Sequence, residues 1–451
     1  MNVLLIMADE HRRDALGCAG HPVVQTPRLD ALARSGTRFG NAYCNSPLCV
    51  PSRASFATGT PVHQTVAWDN GKPYSGGLPS FGQTLSEQGV QVVTVGKLHF
   101  DADADTGFSD RRVMRASKMD LEGLRRNPVR ARPGGRNRIL EAGRGNHWEA
   151  STEAETAAAI EFLREEAPHA EKPWVLWLNY LPPHFPLIAP ESFLSLYPED
   201  EIGDPIDFPS AAHHPVLEEL RLHFDVNRID IHSARRARAA YYALCSFVDA
   251  HVGRVMAALT ESGLEDQTLV IYTSDHGEML GDHELWWKSA MYEPCVGIPL
   301  LMRGPAVSPD TIIDTPVSLL DVTATIADAV GVQKPSHWWG QSLLPAARKE
   351  QPLPADRAVF SEYHAHGVSH AIFMLRKGRF KYVHYVGSPA QLFDLEQDPH
   401  EMDNLALKPQ FQSVARELQD ELRSLADLER LDEQAHRDQE MRLRQNPIFK
   451  D

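Results

Sequence analysis

Met1-Asn2-Val3-Leu4-Leu5-Ile6-Met7-Ala8-Asp9-Glu10 opens the chain, an apolar run from Val3 to Ala8 that ends on two acids. A strand with one wet face alternates apolar and polar side chains. An unbroken apolar run is what a strand covered on both faces shows, as in a sheet with helices on either side. Val90–Val95, Trp174–Asn179 and Leu269–Thr273 repeat the pattern. Helical patterns lie between them. Pro27–Ser35 follows Thr26 with proline at the first helical position. Thr152 and Glu155 can form a capping box for a helix running through Glu165. Cys245–Ser262 reads as a helix stopped at Gly263. This alternation predicts an α/β fold with a large, mainly parallel sheet sandwiched by helices. Past Pro345 the candidate strands Ala371–Leu375 and Phe380–Tyr385 predict a smaller C-terminal α+β domain. The expected division is 1–350 for the catalytic domain and 351–451 for the small domain with a terminal helical tail.

The chain has 451 residues, 42% hydrophobic and 24% charged, ordinary values for a globular protein. Its formal net charge of -16, from 61 Asp+Glu against 45 Lys+Arg, argues against nucleic-acid partners. An anionic substrate would therefore need a local cationic pocket. Val3–Ala8 is too short for a signal-peptide core and has no basic leader. No run approaches the ~18 apolar residues of a membrane span, so no membrane association is expected. Five cysteines without metal-type pairing do not form a disulfide framework, and a cytoplasmic location is expected. Residues 109–150 are Arg-rich, with Pro133, Gly134 and Gly135, and read as a surface insertion that can reach an active-site rim. Gln412–Arg444 reads as either a solvated terminal helix or an arm gripping a neighbouring subunit, and a homo-oligomer is expected.

The most specific stretch is Leu48-Cys49-Val50-Pro51-Ser52-Arg53-Ala54-Ser55-Phe56-Ala57-Thr58-Gly59. It resembles the signature of the formylglycine-dependent sulfatases, in the alkaline phosphatase superfamily. Thr26-Pro27-Arg28-Leu29-Asp30-Ala31-Leu32-Ala33, Gly96-Lys97-Leu98-His99, Pro183-His184 and Thr273-Ser274-Asp275-His276-Gly277 resemble further motifs of that family, in family order. Leu392-Phe393-Asp394-Leu395, Asp398-Pro399 and Asn404-Leu405 continue the series, so the likeness spans nearly the whole chain. Cys18, Cys44, Cys245 and Cys295 have no such context and read as packing residues.

The residue types suit that chemistry. A sulfate monoester presents a tetrahedral anion, and attack at sulfur moves negative charge onto the leaving oxygen. The site needs a nucleophile, cations for the non-bridging oxygens, orienting donors and an acid for the leaving group. Asp9 and Glu10 follow one strand, and Asp275 and His276 follow another. Oxygen ligands from two strand ends suit one divalent cation, with Ca²⁺ first and Mg²⁺ as an alternative. The imidazole of His276 keeps Mn²⁺ open. Lys97 and His99, two apart, share a face if the segment is extended.

The resemblance implies the remaining roles. Cys49 becomes formylglycine, which hydrates to a diol: one hydroxyl attacks sulfur, and the second allows release by C–O cleavage. It also implies a formylglycine-generating enzyme as the maturation partner. Arg53 holds the diol and the metal carboxylates, Lys97 binds sulfate, and His99 is the base for release. His184 and Lys288 assist departure of the ester oxygen. The motifs lean toward choline-sulfatase-like and microbial arylsulfatase branches, acting on a small-molecule sulfate ester. The alternative is a phosphonate monoester hydrolase or phosphodiesterase, also formylglycine-dependent. Asn70 resembles a substrate-binding Asn of that group, which is expected to carry Tyr and Thr where this chain has Lys97 and His99. Trp68, Tyr363, His364, His366, Trp338 and Trp339 are candidate pocket residues, since an aromatic group can hold a quaternary ammonium.

Overall fold

Val3, Leu5 and Met7 enter one apolar core, while Leu4, Ile6 and Ala8 enter another on the opposite face of the same strand. This two-sided burial explains the unbroken apolar run. Each of these side chains larger than alanine contributes roughly 1.5–3 kcal/mol on leaving water. The computed structural model describes residues 1–115, 124, 126–132, 134–207, 213–227 and 229–445.

The strand Asn2–Asp9 lies between Trp174–Pro183 and Thr268–Ser274, parallel to both. Gln91–Gly96 and then Asp110–Arg112 extend the sheet in parallel on one side. On the other side Leu300–Arg303 is antiparallel, followed by Thr37–Phe39 and Thr311–Ile313, completing eight strands. The expected mainly parallel sheet is what forms. Helices Pro27–Arg34, Glu149–Glu161 and Ile231–Glu261 cover one face, and Cys49–Thr58, Phe81–Glu87 and Leu319–Ala329 cover the other. Ala8 pairs with Ser274, and Gly96 with Asn179, so the strand ends converge on one edge. In parallel sheets that edge is where ligands bind.

A second, antiparallel sheet runs Ala358–Tyr363, Ile372–Lys377, Phe380–Tyr385 and Ser388–Asp394. Gly378 makes the tight turn between its middle strands at φ +53°, where a side chain would be strained. The helix Gln412–Leu425 packs Leu418 and Leu422 on the outer face. Val359, Ile372, Met374, Val383 and Phe393 join the core of the large sheet.

Three local expectations are corrected. Thr152 lies inside a helix that begins at Glu149, so it caps nothing, and Glu155 instead pairs with Arg115 at 2.7 Å. The predicted Cys245–Ser262 helix is the second half of a 31-residue helix from Ile231. Its arginine-rich start hides the period because Arg238 is buried, donating to Leu280 O and Asp282. The Gln412–Arg444 stretch is two helices, Gln412–Leu425 and Leu428–Gln445, laid on their own chain rather than extended into solvent. There Arg442 grips both oxygens of Asp69 (2.9 and 2.7 Å), and Asp438 accepts from Trp68 Nε1 at 2.8 Å. The Arg-rich insertion falls partly outside the described residues, at 116–123, 125 and 133. Its described part supplies the edge strand Asp110–Arg112 and the short helix Asn137–Leu140.

Candidate active site

Asp9 and Glu10 end the central strand, Asp275 and His276 follow its parallel neighbour, and Lys97 follows the Gln91–Gly96 strand. Cys49 is the first residue of the helix Cys49–Thr58 and is 1% exposed. Leu48 cannot cap that helix with its apolar side chain. Asn70 does so from another loop, its Oδ1 accepting from Val50 N at 3.0 Å. Ser52 Oγ donates to Asp275 O at 2.7 Å, docking the helix on the strand end. Gly59, at φ +66°, closes the helix where a Cβ would strike the Trp338 ring.

Arg53 organises the carboxylates. Its Nε donates to Asp275 Oδ2 at 2.7 Å and its Nη2 to Asp9 Oδ2 at 3.0 Å. Nη1 takes both Lys97 O and Asn179 Oδ1 at 2.7 Å. Lys97 Nζ adds a bond to Asp9 Oδ2 at 2.6 Å. Burial alone would raise the Asp9 carboxyl, but Lys97 and Arg53 hold it far below its ordinary range. Both Oδ2 atoms are thus tied to cations, and the Oδ1 atoms face His276.

His276 Nε2 lies 4.0 Å from Asp9 Oδ1, 3.9 Å from Asp275 Oδ1 and 3.2 Å from Cys49 Sγ. Its Nδ1 donates to Gly277 O at 2.9 Å, which turns Nε2 toward the carboxylates, and against the effect of burial Asp275 raises the imidazole above its ordinary value. The ligand atoms of Asp9, Cys49, Asp275 and His276 lie within 4.8 Å of one another. This O/N donor set fits a small divalent cation. Asp9 also forms a second group with Glu10 and His184. Glu10 therefore sits beside the Asp275–His276 cluster, with its carboxylate turned to Lys288 (3.2 Å) and His184 (3.3 Å).

Cations and a carboxylate both converge on position 49. Lys288 Nζ is 3.3 Å from Cys49 Sγ, and Asp9 Oδ1 is 3.6 Å away. Burial opposes ionisation of the thiol, yet Lys288, Lys97 and His276 draw it well below its ordinary value. His184 Nδ1 faces Phe185 O at 2.6 Å, presenting Nε2 to the site. Burial and then Lys288 lower its imidazole to about 4. His99 also bonds position 49, and burial and Lys97 lower its imidazole. Its φ of +64° shows that a turn, rather than strand alternation, brings it beside Lys97.

Asn179 and Glu278 were not foreseen. Asn179 reads only as a strand residue, and its link to Arg53 is a long-range contact. Glu278, fully buried, accepts from Leu280 N (2.9 Å) and Trp287 N (2.6 Å), and its carboxyl also bonds Glu10. Trp68, Trp338, Tyr363 and His364 are buried, and His364 bonds Glu362 at 2.9 Å. The ring of Arg138 contacts does reach the rim: its guanidinium stacks 4.3 Å from Phe185, next to His184.

The chain matches the family described as Sulfatase over residues 1–332, and that described as N-sulphoglucosamine sulphohydrolase, C-terminal, over 281–428. It is 33% identical to choline-sulfatase of Rhizobium meliloti (strain 1021), covering 90% of this chain and 83% of that one. It is 31% identical to arylsulfatase K of Bos taurus, covering 96% and 83%. Among solved structures it resembles phosphonate monoester hydrolase from Silicibacter pomeroyi, with TM-score 0.76, 27% identity and coverage of 93% and 94%. The Agrobacterium radiobacter enzyme of the same name gives 0.77, 26%, 94% and 95%.

Proposed function

The chain belongs to the sulfatase family and is a sulfuric ester hydrolase, and from that premise we propose that it cleaves sulfate monoesters through formylglycine made from Cys49. The observation that carries this reading is the convergence of Lys288, His276 and Asp9 within 3.3, 3.2 and 3.6 Å of the position-49 side chain. Asp9, Asp275 and His276, with Glu10 adjacent, would hold one divalent cation, and cation and hydrated aldehyde together would supply charge neutralisation and a hydroxyl nucleophile.

The chain's own residues do the rest. Arg53 fixes the Asp9 and Asp275 carboxylates so that their Oδ1 atoms stay aimed inward. Lys97 places its ammonium beside Asp9, within reach of the non-bridging oxygens. Lys288 sits against position 49 and carries positive charge to the leaving oxygen, with His184 Nε2 beside it. His99, whose buried Nδ1 has no hydrogen-bond partner among the described residues, is the base for the release step. Asn70 holds the first turn of the Cys49 helix, and the same side chain would contact the substrate. A formylglycine-generating enzyme would install the aldehyde. All five cysteines are free of disulfides, which supports a reducing, cytoplasmic setting.

The similarity to phosphonate monoester hydrolases favours a second reading, in which phosphonate monoesters or phosphodiesters are the main substrates. Lys97 and His99 favour sulfate. The test compares kcat/KM for matched nitrophenyl sulfate and nitrophenyl phenylphosphonate, on protein whose position-49 peptide shows the mass of the aldehyde. Sulfate should be preferred. A preference for the phosphonate rejects the first reading and selects the second.

A further inference from the structure

The segment from Met279 to Ser289 carries Lys288 but has only a short 3₁₀ turn, Asp282–Glu284, to stiffen it. Leu280, Trp287 and Ser289 take left-handed conformations, at φ +51°, +66° and +84°. Such backbone persists for non-glycine residues only where surrounding bonds enforce it. The Trp287 carbonyl accepts from Met279 N at 2.7 Å. The Trp287 N–H donates to Glu278 Oε1 at 2.6 Å, and the same oxygen takes Leu280 N at 2.9 Å. One fully buried carboxylate oxygen therefore ties the two ends of the segment together. Lys288 is the next residue after Trp287. Its Nζ reaches Glu10 Oε2 at 3.2 Å and Cys49 Sγ at 3.3 Å, over the Phe185 ring.

We propose that Glu278 is the positioning residue for Lys288, fixing through Trp287 N the point at which the ammonium meets position 49. This rests on the proposed role of Lys288 at the leaving oxygen. Glu278 itself is fully buried. What matters is the acceptor at the length of a glutamate side chain, because a displacement of about 1 Å at a reacting group can cost on the order of a hundredfold in rate. Both of its backbone partners are neutral donors, so an amide oxygen can stand in for the carboxylate oxygen toward them.

The test uses the aldehyde-bearing, metal-loaded enzyme and a series of aryl sulfates whose phenols span a wide range of acidity. Lys288→Ala should steepen the dependence of kcat on phenol pKa, losing on the order of a hundredfold with the least acidic phenol. Glu278→Asp keeps the charge but withdraws the acceptor by one methylene. It should steepen the same dependence, with roughly tenfold loss on the least acidic phenol and little change in KM. Glu278→Gln keeps the acceptor and should retain the wild-type slope. Equal loss on every phenol for Glu278→Asp would mark a merely structural role and overturn the proposal. So would a steepened slope in Glu278→Gln, a result that decides the matter even if Glu278→Asp does not fold. If Lys288→Ala leaves the slope unchanged, the role of Lys288 and its positioning fall together. If Lys288→Ala steepens it and Glu278→Asp does not, the positioning alone falls.

Discussion

Arg53 Nε meets Asp275 Oδ2 at 2.7 Å, with both side chains fully buried. The same guanidinium reaches Asp9 at 3.0 Å, so removing it takes the bonded cation from the buried Asp275 and leaves Asp9 with Lys97 alone. Arg53→Ala should cost about 3–5 kcal/mol of stability, the usual penalty for an uncompensated buried charge. Arg53→Lys should recover only part, because an ammonium cannot span both acids in the geometry of a planar fork. Thermal unfolding of the metal-free proteins checks this, and an unchanged midpoint for Arg53→Ala contradicts it.

Asp275→Ala should lose both bound metal and activity. It removes an Oδ1 that faces His276 and that also accepts from Glu10 N and His276 N at 3.1 Å. Metal content of the purified variant, measured beside the hydrolysis rate, decides the assignment. Retention of both removes Asp275 from the site. A silent Glu10→Gln would leave three protein ligands.

Asn70→Ala should destabilise the protein by about 1 kcal/mol, the typical value of a helix cap. Here the cap is supplied from outside the helix, to Val50 N. Asn70→Asp keeps the accepting oxygen and should unfold near the wild-type midpoint. Activity of Asn70→Asp separates the cap from any contact with substrate: if only the cap matters, the rate is preserved.

Glu362 joins the small sheet to the segment after the Cys49 helix, accepting from His63 N at 2.9 Å and facing His63 Nδ1 at 3.0 Å. Burial pushes its carboxyl up, but His63 and His364 bring it down from 4.5 to about 2. A carboxyl depressed on folding contributes stability above its unfolded value and loses it as pH falls through the folded one. His63, raised above 6.5 against burial by Glu362, contributes below 6.5 and loses that contribution as pH rises past its folded value. The difference in unfolding midpoint between wild type and Glu362→Gln should therefore be largest between pH 4.5 and 6.5. A difference that grows toward pH 2 would contradict the pairing.

The sheet was legible because burial on both faces writes itself as unbroken apolar runs. Cys49 was legible from its motif, whereas its place at the start of a helix emerged only from the structure. Asp9, Asp275 and Lys97 could be found because strand ends are recognisable in a parallel sheet. The capping box failed because Trp148 and Glu149 start the helix a turn earlier, and a Thr and Glu three apart carry no record of where a helix begins. The long helix was half hidden because Arg238 is buried by partners, Leu280 O and Asp282, that lie outside its own segment. Asn179 and Glu278 were missed for the same reason: their function is a hydrogen bond across the fold, which no local pattern encodes.

Arg442 and Asp69 are 373 positions apart in the chain. Asp69 adjoins Asn70, which caps the Cys49 helix. A ribosome releases the Cys49 segment early and the residues that brace it late. During synthesis the pocket stays unfinished until Arg442 has emerged. A message cut short upstream of it therefore yields a chain bearing Cys49 but lacking that brace on the turn beside its helix.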